Sequence, residues 1–91
     1  MELDYYNLGL KRICDAWNEL QDAVVYHPNA YTKREKKAIA IRAAYKLFDE
    51  PREIDFGILV SAVVGCVLKH RLHEKTSYFS NIPEDFGHGD Y

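Results

Sequence analysis

Asp15, Glu19 and Asp22 stand about one turn apart on a stretch that otherwise reads as helix. Glu19-x-x-Asp22 is a spacing with which helical enzymes hold Mg²⁺, because a hard cation needs carboxylates converging from one face. Such a centre also draws acids from a second helix. Here the second helix offers only Glu35 and Asp49 at its ends, and the third only Glu53, Asp55 and Glu74. The three acids therefore read as a solvated face, and no metal or other cofactor is expected.

The remaining chemistry-bearing residues assemble no better. His70 and His73 are three apart, which can place two imidazoles on one metal, yet no third ligand stands at a supporting spacing. Cys14 and Cys66 each sit among apolar residues, are far apart, and form no CxxC pair; two reduced, buried thiols are expected, with a bridge open to them if the first and third helices pack face to face. Ser61 lies inside an apolar run without a base near it in sequence, so it reads as a small packing residue rather than a nucleophile. The five glycines form neither GxGxxG nor GxxxxGK[ST], which removes a phosphate-cradling loop. The expectation is a protein that is not an enzyme.

Two patterns point to binding instead. Lys33, Arg34, Lys36 and Lys37 crowd a helix start, where positive charge opposes the helix dipole at a few tenths of a kcal/mol each. With Arg42 and Lys46 further on, they give that helix a basic side able to meet a phosphate, a nucleic-acid backbone or an acidic partner surface. Facing the acidic side of the first helix would answer the same charge. The second pattern is Gly57, Ser61 and Gly65, recurring every fourth residue within the uncharged run Phe56 to Leu68. Glycine costs roughly 1 kcal/mol against alanine inside a helix, and close approach of another helix is the usual compensation. That crossing would lie within the protomer or between protomers.

Three helices must carry these residues. The first spans about Asp4 to Tyr26, with Tyr6, Leu10, Ile13, Trp17, Leu20 and Val24 alternating by fours and threes. Asp4 serves as its N-cap, and His27-Pro28-Asn29 ends it. Thr32-Lys33-Arg34-Glu35 has the form of a capping box and opens the second helix, which stops before Pro51. That helix has one stripe at Ala38, Ile41, Tyr45 and Phe48 and another at Ile39, Ala43 and Leu47. Two apolar sides exceed the needs of a small monomer and predict a homo-oligomer. The third helix starts near Pro51 or Asp55 and ends near Glu74 or Lys75.

Beyond Thr76 the helical period is lost. Asn81, Pro83, Gly87 and Gly89 interrupt Tyr78, Phe79, Ile82 and Phe86, which reads as an extended tail either draped over the helices or unattached. The fold class is thus all-α: a three-helix bundle over residues 1–75 and an irregular tail over 76–91. Its expected core is Leu10, Ile13, Trp17, Leu20, Val24, Ile41, Tyr45, Phe48, Leu59, Val63 and Cys66. A helix-turn-helix reading fails, because the third helix would be its recognition helix and the segment from Phe56 onward has no side chain suited to base edges.

Bulk composition bounds the rest. Ninety-one residues make one small domain with a thin core, and 47% hydrophobic content is ordinary for a folded chain. A net charge of -2 exerts no global pull toward nucleic acid or anionic membrane. The acidic Met1-Glu2-Leu3-Asp4 is unlike a signal peptide, and the apolar run falls short of a membrane span, so the sequence predicts a cytoplasmic protein with no membrane association. Seven tyrosines suit half-buried and interface positions. The tail, with Tyr78, Phe79 and Phe86 beside acids, has the composition of a segment that docks in a basic, apolar groove. The resulting expectation is an adaptor or inhibitor that binds a protein partner through helix surfaces and tail. In size and style it is comparable to accessory and phage-encoded effectors that block host factors. The competing reading is a nucleic-acid or phosphorylated-ligand binder using Lys33, Arg34, Lys36, Lys37 and Arg42.

Overall fold

The computed structural model describes residues 2–82, with side chains from residue 9 onward. It is all-α, and the described residues contain no strand. Helix α1 (Glu2–Gln21) continues into a π-helical turn (Asp22–Tyr26), followed by α2 (Lys33–Phe48), α3 (Phe56–Lys69), the single turn α4 (Leu72–Lys75) and a 3₁₀ turn (Ser77–Phe79). α1 and α2 form the most extensive pairing, and α3 packs against both. No helix among the described residues is long and apolar enough to cross a membrane.

Local chemistry explains most boundaries. Thr32 Oγ1 accepts from the Glu35 N–H at 3.2 Å while Glu35 Oε1 accepts from the Thr32 N–H at 2.9 Å, completing the capping box. Asp55 caps α3 by accepting from the Ile58 N–H at 3.2 Å. Asp49 closes α2 in the left-handed region (φ 58°), a conformation that aspartate tolerates better than most residues. Two ends differ from expectation. α1 is already helical at Glu2, so Asp4 lies within it rather than at its cap. α3 stops at Lys69, because Arg71 takes φ 54° and turns the chain before α4. That turn brings Leu72, 2% exposed, back onto the bundle.

The core holds the aromatic anchor that the first helix predicts. Trp17 is fully buried together with Leu20, Leu59, Val63, Val64 and Val67. Leu10, Ile13 and Val24 pack against this cluster while half-buried, and Cys66 is half-buried as well. For α2 the expected stripe is the wrong one. Ile41, Tyr45 and Phe48 are 41%, 52% and 36% exposed, whereas Ile39, Ala40, Ala43 and Ala44 face the interior. Alanines let α1 come close to α2 without a layer of large side chains between them, and Trp17 and Phe79 already supply the bulk.

Through residue 82 the C-terminal segment is draped over the helices, one of the two arrangements its composition allows. Phe79 is fully buried and Ile82 is 8% exposed, so the packed unit extends through residue 82. Asn81 ties it down by side-chain bonds. Its Oδ1 accepts from Trp17 Nε1 at 3.0 Å, and its Nδ2 donates to Gln21 Oε1 and to Tyr26 OH, both at 2.8 Å. A buried indole N–H needs such a partner. The sequence reading of residues 83–91 lies outside the described residues.

Candidate interaction surfaces

Each acid of the α1 triplet is occupied by its own chain. Asp15 meets Lys11 at 3.0 Å, and Glu19 meets Arg42 at 3.3 Å and Lys46 at 3.4 Å. Asp22 accepts from Tyr31 OH and lies 3.0 Å from His27 Nδ1. The Tyr31 hydrogen bond first, and His27 second, hold the Asp22 carboxyl below the usual aspartate range, and the same bond raises the Tyr31 phenol. These are structural pairs. Among the described residues no three His, Cys, Asp or Glu side chains come together as a metal set. His70 is exposed, and His73 is half-buried with its Nδ1 lacking a partner among the described residues.

Neither thiol is activated. Cys14 is buried, and burial followed by the Asp15 charge raises its pKa; burial also raises that of Cys66, against a smaller opposing effect of Lys69. A raised thiol is a poor nucleophile at neutral pH. Both are reduced, and no bridge links the first and third helices through them.

The structure disperses the basic cluster. Lys37 pairs with Glu53 at 3.0 Å, Lys36 sits 5.7 Å from the Phe56 ring centroid, and Arg42 turns toward Glu19. Lys33 and Lys37 border a cleft that also contains Glu53 and Asp55, two carboxylates that would repel a phosphate. Of the five, Lys33, Arg34 and Lys36 make no side-chain hydrogen bond or ion pair among the described residues, and of these only Lys36 has a ring contact. Exposed pairs of this kind contribute little to stability, so their role is mainly to set which charges remain on the surface.

The small-residue face of α3 points outward. Gly57 and Gly65 are exposed, Ser61 is half-buried, and Ile58 between them is 65% exposed. A Cβ built on Gly65 would meet nothing within 4 Å, so close approach within the protomer is not its reason. Gly57 is constrained only by the Asp55 carboxylate at 3.2 Å, the capping group of the same turn. Gly57, Ile58, Ser61 and Ala62 line an open hollow next to Asp55.

Of the tail residues, Tyr78 is 63% exposed, while fully buried Phe79 is a core side chain closed to a partner. Phe86 lies outside the described residues. What sequence reasoning missed is Asn81, whose only signal was its place beside a turn; its partners Trp17, Gln21 and Tyr26 are 55 or more residues away. No protein-family model matches the chain, and neither the curated proteins nor the solved structures contain a match to it.

Proposed function

We propose that this chain is a cytoplasmic, non-catalytic regulator that binds a protein partner, as an adaptor or an inhibitor, and self-associates. The observation that carries the reading is the outward turn of apolar side chains on two helices: Ile41, Tyr45 and Phe48 on α2, and Ile58 amid Gly57, Ser61, Ala62 and Gly65 on α3. Exposed apolar faces of this kind, rimmed by charge, mark protein-binding surfaces. The occupied acids of α1 and the raised thiols support binding over catalysis, since these acids are already paired and these thiols are poor nucleophiles. The α3 face suits a partner helix, because small residues let two backbones approach closely. A phage-type effector blocking a host factor is one form such a regulator takes.

The competing phosphate or nucleic-acid reading rests on Lys33 and Arg34, which have no acid to satisfy them among the described residues. Two measurements separate the readings. Affinity-tagged chain recovered from its native cell should retain a stoichiometric protein, and Ile58→Lys should release it while leaving the melting curve unchanged. Titration with DNA, RNA and nucleotides should show no affinity that falls steeply with salt. Co-purifying nucleic acid without a protein partner, bound through Lys33 and Arg34, would reverse the choice.

A further inference from the structure

We infer that the outward face of α2 pairs antiparallel with α2 of a second copy of this chain, about a two-fold axis at Ile41. The inference rests on the reading of outward apolar faces as binding surfaces, and names the occupant of one of them. Arg34, Ala38, Ile41, Tyr45 and Phe48 advance by four, three, four and three residues, and all five are exposed. That is the spacing of a two-helix seam. The side facing the protomer's own core is the opposite one, with Ile39, Ala40, Ala43 and Ala44.

The seam is self-complementary when reversed. Ile41 then lies opposite the partner's Ile41, Ala38 opposite the partner's Tyr45, and Arg34 opposite the partner's Phe48. Small meets large in the layers on either side of the Ile41 pair, and a guanidinium meets an aromatic ring at each end. Arg52 already covers one side of Phe48, its guanidinium 4.3 Å from the ring centroid. Charge fits in the same register. Arg34 opposes the dipole of its own helix; in the antiparallel pair it sits at the carbonyl end of the other α2, next to the partner's Asp49. Asp49 is exposed and held only loosely by Arg12, at 3.6 Å. Repulsion between the flanking cations is reduced, because Lys37 pairs with Glu53 while Arg42 and Lys46 share Glu19. An isologous pairing requires this kind of reciprocity. A seam about 21 Å long is small for a stable interface, so dissociation belongs in the micromolar range.

Sedimentation velocity of the purified full chain across micromolar concentrations tests this without any other partner. A reversible monomer–dimer equilibrium is expected, weakened about tenfold or more by Tyr45→Lys. Ile41→Lys should act likewise, and circular dichroism and melting should show both variants folded. Ile58→Lys on α3 should leave the dimer intact. Arg34→Glu should weaken it, and Asp49→Asn added to that variant should recover part of the loss by removing the new repulsion. Asparagine keeps the left-handed backbone at that position. A monomer at every concentration overturns the inference while leaving the α3 pull-down to judge the wider reading. A dimer that survives Tyr45→Lys and Ile41→Lys, or that fails to recover in the double variant, overturns the α2 register.

Discussion

Asn81 ties the C-terminal segment to the first helix and the turn that follows it. It satisfies the indole N–H of fully buried Trp17 and engages Gln21 and Tyr26 with its amide nitrogen. Removing it strands a buried donor, which costs about 1–3 kcal/mol. Asn81→Ala should therefore lower stability by that amount in urea titration, with a red-shifted Trp17 fluorescence as the chain opens. Trp17→Ala removes the anchor itself and should cost about 3–5 kcal/mol, enough to unfold most domains of this size. Cooperative melting of Trp17→Ala near the wild-type temperature would contradict the core described above.

At the scale of the element, α2 stands on its capping box. Thr32→Ala should destabilise by about 1 kcal/mol in thermal melts. The same box creates an acid dependence. The Thr32 backbone N–H first, and its side chain second, hold the Glu35 carboxyl below the usual glutamate range. A folded-state pKa below the unfolded one gives stability that is complete above the ordinary glutamate pKa of about 4.3 and is lost as pH falls through the lower, folded value. Asp22 contributes with the same sign through Tyr31 and His27. Stability should thus decline below about pH 4, and less steeply in Thr32→Ala, whose Glu35 keeps less of its depression. Equal slopes in the two proteins would show that the cap does not set the acid response.

For the whole molecule, the packed unit runs past the point where the helical period ends. Phe79 and Ile82 belong to the same buried cluster as Trp17, Leu20 and Val63. Deleting Thr76–Tyr91 should unfold or severely destabilise the chain, because a lost Phe79 alone is worth about 3–5 kcal/mol. Deleting only residues 83–91 should preserve a cooperative transition, and this shorter truncation is the one suited to asking whether the acidic–aromatic end takes part in binding. Comparison of the two by denaturant unfolding checks the assignment. Loss of folding in both would place essential contacts beyond Ile82.

By itself the sequence determined what depends on near neighbours. The Trp17 seam, the Thr32–Glu35 box and the break at His27-Pro28-Asn29 are set by residues within one or two turns of each other and stand where the pattern put them, while the Asp55 cap is one of the two starts the pattern allowed for the third helix. The all-α class follows from the same local periods. Tertiary structure alone decided which of two apolar stripes on α2 went inward, since either satisfies helical spacing and only the space beside α1 selects the alanines. It also decided that Phe79 and Asn81 belong to the core, because burial of an aperiodic segment is paid for by partners far away in the chain. The candidate sites divide the same way. Arg34, Gly57 and Gly65 were visible as residues of unusual cost in their helices, but their exposure is a property of the packed molecule. The dispersal of Lys36, Lys37 and Arg42 onto Phe56, Glu53 and Glu19 depended on which helices became neighbours, which residue spacing within one helix does not encode.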